Sequence, residues 1–353
     1  MAKTLRISIM NKRLFGLQDV SGARNFIYGA AIVWIVFFHS GFSLKTKLFE
    51  TIKSYGDCGV EIFFLLSGIC LFYSYSKDEN TLAFYKRRLA KILPPYLIVY
   101  GIVFVILDVA DSFNLGQFIL DYTLLDFWLH GLGRAPWFVA AIIVFYAFYP
   151  LIYRIFFKAE KYKILKVSIF FASVCLLIVI LVIFCPHLNI FAARIPVFIV
   201  GCLLGRTVYN DFDVKFRHLL VLALFLIGTY ALFGFVNIWW LRNVFFLTLS
   251  MSLILILSQI YKFSNRFIPL LNKPFLFLGN LTLEIYLCHE KIKESFVYFL
   301  RYCNISVDFS DAWYQWICIL LAVITAFAVK QSVRLFRFCI VDKKIDGKSI
   351  DTH

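Results

Sequence analysis

Four ionisable side chains stand in stretches that are otherwise apolar. His39 closes the run AAIVWIVFFHS, Glu61 opens GVEIFFLLSGI, and Glu284 and His289, the latter followed by Glu290, punctuate GNLTLEIYLCHE. Imidazoles and carboxylates are the groups that take and give protons near neutral pH. In hydrocarbon they are costly and rare, so each is a candidate functional group. Plainer readings compete with that one. Glu61 could pair with Arg194 or Arg242 to lock helices together, and His289 could be an interfacial residue at a helix end. That alternative is weaker for His39, because no charge lies within ten residues on its N-terminal side.

A second pattern is FYKRRLAKILPPYLIV. Arg87 and Lys91 are i,i+4 and Arg88 and Lys91 are i,i+3, so all three can converge on one helical face. Arginine forks suit phosphate oxygens and lysine adds a point charge, which together would grip a polyphosphate. The plainer reading is a basic anchor at the cytoplasmic surface. Pro94–Pro95 predicts a broken or kinked helix just beyond. Ser67–Gly68 is a small pair that lets helices approach closely, and packing is the simpler reading there than a serine nucleophile. No GxSxG elbow, P-loop, GxGxxG or HExxH is present. Nine cysteines are scattered without CxxC or zinc spacing, and read as membrane-buried thiols.

These groups need a scaffold, and the composition names it. Hydrophobic residues fill 61% of 353 positions and charged ones only 16%, whereas soluble domains run near 45–50% and 25%. Ten apolar stretches long enough to span a bilayer fall at 27–43, 58–75, 92–110, 136–156, 164–185, 190–208, 217–236, 238–260, 275–291 and 312–336. LGQFILDYTLLDFWLH, at 115–130, carries Asp121 and Asp126 and reads as an interfacial helix outside the bilayer. With both ends cytoplasmic, 27 of the 36 basic residues fall inside, as the positive-inside rule requires. The predicted class is an all-α polytopic membrane bundle of about ten helices, with both termini cytoplasmic. Residues 1–26 form a basic cytoplasmic segment, 27–337 the membrane domain and 338–353 a cytoplasmic tail. The net charge of +15 then reflects topology and contact with anionic lipids. Nucleic acid is not an expected partner, because no soluble basic domain exists to bind it. On this topology His39, Glu61, His289 and Glu290 lie towards the outer face and Glu284 near mid-span. Arg194, in ARIPVFIVG, enters from the outer side within reach of the carboxylates.

Five segments, in order, resemble the acyltransferase-3 family of integral membrane acyltransferases, many of which O-acetylate cell-surface glycans. They are YGAAIVWIVFFHS, GVEIFFLLSGI, FYKRRLAKILPPY, PWFVAAIIVFYAFYPLI and GNLTLEIYLCHE, and they spread over residues 24–290. One departure lies in the first helix. Asn25 and Tyr28 stand where the family usually carries an acid and an arginine, although Arg24 lies one turn before Tyr28 on the same face.

The resemblance implies an O-acyltransferase of a bacterial inner membrane that uses acetyl-CoA as donor substrate and holds no permanent cofactor or metal. It implies that Arg87, Arg88 and Lys91 hold the donor phosphates at the inner face. His39 would be the general base on an acceptor hydroxyl, and Tyr28 or Arg24 would face the thioester oxyanion. Glu61 would either orient His39 or bridge to Arg194. Ser67, Arg194, Glu284, His289 and Glu290 would support the site, and an acyl-enzyme on Ser67 is an alternative route. The acceptor would be a glycan or a lipid-linked sugar. The rival from another class is a flippase or export subunit for lipid-linked sugars, since buried charges also suit a transport path.

Overall fold

The structure, a computed structural model, describes residues 12–348 apart from positions 44, 112–113, 134, 159–160, 237 and 309, and omits the side chains of 104–111 and of 337 onward. Lys3, Arg6 and the side chains of the tail, which belong to the expected cytoplasmic charge, lie outside the described residues.

A chain in hydrocarbon must satisfy its backbone groups internally, and a helix does so within a single segment. Among the described residues the chain forms fifteen α-helices and one two-stranded ribbon. Strand β1 (Arg13–Gly16) and α1 (Gln18–Gly22) precede α2 (Arg24–His39). Helix α3 (Lys47–Ser54) leads into α4 (Cys58–Ser76), then α5 (Thr81–Asp111), α6 (Leu115–Tyr122) and α7 (Leu125–His130) follow. Next come α8 (Trp137–Tyr153), α9 (Lys163–Phe184), α10 (Asn189–Tyr209), β2 (Asp213–Lys215) and α11 (Phe216–Val236). The chain continues through α12 (Trp239–Phe267), α13 (Asn272–Asn280), α14 (Thr282–Tyr302) and α15 (Ala312–Lys348).

Seven helical stretches are long and apolar enough to cross a membrane, and they coincide with seven of the ten expected spans. Of the other three, the first is the 16-residue α2, which stops at His39 rather than at 43. The third lies within α5. The ninth is divided at Leu281 into α13 and α14.

Three local expectations change. The Pro94–Pro95 pair does not break its helix, because α5 runs through both residues. Residues 115–130 form two helices, since Leu124 adopts a left-handed φ of 66° between them. Asp121 and Asp126 are buried rather than turned to a water interface. Gln117 bonds both carboxylates, at 2.9 and 3.3 Å, and His130 reaches Asp126 at 2.7 Å. The ribbon was not foreseen at all. Arg13 ties it together through Asp211 at 2.9 Å and Asp213 at 3.0 Å, so residues 13–16 sit against the turn between α10 and α11.

Helix α4 is the centre of the bundle, with every residue from Cys58 to Leu66 buried. It crosses α10 without intervening side chains. A Cβ at Gly68 would lie 2.5 Å from the Cys202 nitrogen, and one at Gly201 would lie 2.5 Å from the Leu65 carbonyl oxygen. Phe64, Phe145 and Phe198 fill the space beside that crossing, the last two stacked at 4.7 Å. Helix α2 meets α13 equally closely, where a Cβ on Gly279 would collide with the Asn25 carbonyl. At the periphery, α9 has no buried residue and α11 only Thr229. An all-apolar helix with no buried face is one that faces lipid.

Candidate active site

Two polar regions lie on the α2–α4–α14 side of the bundle. They are joined by the length of α14. At the His39 end, the last residue of α2 meets α14. His39 Nδ1 lies 3.0 Å from His289 Nε2. His289 is buried, and its Nδ1 sits 2.8 Å from the Tyr286 carbonyl oxygen and 3.3 Å from that of Ile285. Two carbonyls can be satisfied there only by an N–H, so neutral His289 accepts at Nε2. His39 must then donate from Nδ1, which leaves the lone pair on its Nε2. That nitrogen faces Glu290 Oε1 at 3.5 Å, too long for a good hydrogen bond but close enough to stabilise an imidazolium. His39 is one-third exposed and opens into a cleft with Ser40 and Lys293 on its rim. Lys293 Nζ donates to the His39 carbonyl at 3.2 Å.

At the opposite end, nearer the ribbon, a cavity of about 510 Å³ opens between α2, α4, α5, α8, α14 and α15. Arg24, Lys77, Arg88, Lys91 and Lys330 line it, against a single carboxylate, Glu284. Glu284 lies 3.8 Å from Lys330, whose ammonium also donates to the Asn280 carbonyl. Arg88 is steadied by the rings of Phe84 and Tyr146, at 5.5 and 5.6 Å, yet its Nε is buried without a hydrogen bond. A fixed guanidinium with an unspent donor suits an anionic guest. Deeper in, Tyr28, Ser67 and Tyr146 line the cavity together. Arg24 approaches Cys70 Sγ at 3.9 Å. Asn25 Nδ2 bonds Asn280 Oδ1 at 3.0 Å, so neutral amides meet where the family has an acid. The cavity ends on Phe138 and Tyr286, whose rings are 4.9 Å apart. Tyr286 in turn lies 5.7 Å from the His289 ring.

The structure thus brings His39, His289 and Glu290 together, and gathers Arg24, Tyr28, Ser67, Arg88, Lys91 and Glu284 around one cavity. Arg87 departs from the expected trio. It pairs with Asp78 at 2.8 Å and does not line the cavity. Turned by about 100° from Arg88 around the helix, it points to water. Glu61 is not beside His39. It is fully buried against Arg194, at 3.1 Å, and Arg194 also bonds Asp57 at 3.2 Å and covers the Trp137 ring. Imidazole orientation, the other role considered for Glu61, falls to His289. Lys77 and Lys330 were missed as cavity cations. For Lys330 the signal is present in the sequence, as a lone lysine in the apolar run ITAFAVKQS.

A family model described as an acyltransferase domain matches residues 26–330. Over 116 residues the chain is 31% identical to acyltransferase MdmB of Streptomyces mycarofaciens. That match spans 30% of this chain and 30% of the relative's length. No solved structure matches. The family match runs from Phe26 in α2 to Lys330, midway along α15, taking in both polar regions apart from Arg24 and Asn25, and the chain belongs to the acyltransferase-3 family of membrane proteins.

Proposed function

We propose that the protein transfers an acyl group, most simply acetyl, from acyl-CoA to a hydroxyl of a cell-surface or lipid-linked glycan. The observation that carries this reading is the pairing of a five-cation cavity with an imidazole dyad, both lined by α2 and α14. In this scheme the donor's phosphates lie against Arg88, Lys91 and their neighbours. The pantetheine arm extends past Phe138 and Tyr286 towards His39. The acceptor hydroxyl gives its proton to His39 Nε2 as its oxygen attacks the thioester carbonyl. The C–S bond then breaks, and the leaving thiolate takes that proton from the imidazolium. Glu290 stabilises the cation in the interval, and His289 holds the ring in the tautomer that exposes Nε2.

The test supplies radiolabelled acetyl-CoA to membranes carrying wild-type protein or His39→Ala, at matched protein level, and follows label into envelope glycan. Label that appears with the wild type and vanishes in the variant supports the enzyme. A wild type that binds no acetyl-CoA would overturn it in favour of a transport protein.

A further inference from the structure

A second cavity adjoins the cleft that holds His39. It has a volume of about 470 Å³ and runs between α2, α14 and α15. Its lining is entirely apolar. Ile32, Ile285 and Ala322 form a buried floor, while Val33 and Trp316 are exposed at its edges. Phe42 and Trp316 close one end with their rings 5.4 Å apart. Neither of the lipid-facing helices α9 and α11 lines this cavity.

The recess leads somewhere. Val36, Ile319 and Ala322 line both this groove and the cleft that holds His39. A hydrocarbon chain in the groove would therefore end beside the free Nε2 of His39. Lys293 stands at that junction, 3.2 Å from the His39 carbonyl. Among the described residues it has no carboxylate within ion-pair distance, whereas Lys291 nearby is paired with Glu294 at 2.8 Å. One apolar channel, one unpaired cation and one base meet in sequence. Each matches one part of a molecule with a single tail, a phosphate and a sugar hydroxyl.

We propose that this groove binds the tail of the acceptor, and that the acceptor is a sugar carried on a polyisoprenyl phosphate. This rests on the acyltransferase reading above and narrows its acceptor. The single channel favours one tail over the paired chains of a glycerolipid. The tail fixes the sugar at the catalytic imidazole, so the reaction becomes one of position rather than of encounter. Lys293 is a positioning residue in this scheme, because it would hold the phosphate and not the reacting atoms.

The test uses the full chain in phospholipid nanodiscs with a polyisoprenyl-phosphate sugar bearing a diazirine in its tail. Photolysis is expected to label residues 32–37 and 316–323, and unlabelled polyisoprenyl-phosphate sugar should compete while added phosphatidylglycerol should not. Label spread over α9 and α11, or competed equally by the phospholipid, would mean bilayer lipid only and would overturn the proposal. A kinetic arm compares acyl transfer to the same sugar with and without its lipid. Val33→Trp should lower the lipid-linked over lipid-free ratio about tenfold, the loss expected from excluding two methylenes from an apolar site. Lys293→Ala should raise KM for the lipid-linked acceptor alone, and Lys293→Arg should restore it. Groove labelling without acyl transfer would leave this inference standing and sink the acyltransferase reading instead.

Discussion

The bundle holds two clusters of acid and base, and their charges are used differently. Around α4, α10 and α12, Arg194 and Arg242 face Asp57 and Glu61, cation matched to carboxylate. Arg194 and Glu61 are almost completely hidden, and an aromatic ring covers each arginine, Trp137 over Arg194 and Phe246 beside Arg242. At the junction of α2 and α14, two imidazoles share one hydrogen bond and a cleft keeps His39 in reach of a guest. The first cluster has used its charge to hold helices together. The second keeps a lone pair available. Glu61 Oε2 and Arg194 Nε still lack a hydrogen-bond partner, so what separates the two clusters is charge pairing and access: opposite charges sealed together mark architecture, and a base that a guest can reach marks chemistry.

The strongest way to break this comparison is to remove one member of each cluster and measure both rate and stability. His39→Ala should cost about 10²–10⁴-fold in acyl transfer, the range for losing a general base, while its thermal midpoint in detergent stays at the wild-type value. Arg194→Leu should do the reverse. It strands Glu61 in a dry site, which costs about 3 kcal/mol of stability, read as a lower midpoint for unfolding. Glu61→Gln together with Arg194→Leu should recover part of that loss, because the stranded charge is gone. If His39→Ala unfolds the protein as readily as Arg194→Leu, both clusters are architecture and the distinction fails.

A finer division runs through the basic cluster on α5. Arg88 faces the cavity between two rings, and Arg87 faces Asp78. Arg88→Ala should raise KM for acyl-CoA about tenfold, the effect of losing a charge-assisted hydrogen bond, with little change in kcat. Arg87→Ala should leave KM unchanged. Titration calorimetry with CoA alone would check the same difference without any turnover. Equal effects from both arginines would restore the trio that spacing suggested.

That trio shows where sequence stops being legible. Membrane class, most helices and the identity of the polar outliers follow from composition and hydropathy, because each depends on local residue type. Spacing also placed Arg88 and Lys91 on a common face. It could not reveal that Arg87 is turned away, since its partner Asp78 lies in the preceding turn and the choice depends on which face α8 covers. Arg194, 133 positions away, was among the partners the sequence offered for Glu61, but only the crossing of α4 with α10 selects it over His39; the partner of His39, 250 positions away, follows only from the crossing of α2 with α14. The ribbon of β1 and β2 is four residues against three, from opposite ends of a 200-residue interval, too short for any pattern. Helix α5 continues through the two prolines in its interior, so the break offered as one outcome of that pair does not occur.

The Arg87–Asp78 pair is also the third way this protein spends charge, and it carries the smallest expected effect. The Arg87 guanidinium, by its hydrogen bond, holds the Asp78 carboxyl below its usual value, helped by the Asn80 backbone N–H. A carboxylate whose folded value is depressed stabilises the fold above the unfolded value, near 3.9, and loses that contribution as pH falls through the folded one. Both side chains are in water, so even the full contribution is small. Any excess stability of the wild type over Asp78→Asn should therefore be slight, level across about pH 5 to 8, and lost as the pH falls below about 4. The same variant releases Arg87. If KM for acyl-CoA then falls, Arg87 can swing from water to the cavity, and Asp78 holds it in reserve. If KM is unmoved, the helix face alone assigns Arg88 to the cavity and Arg87 to solvent, which is the outcome the geometry of α5 requires.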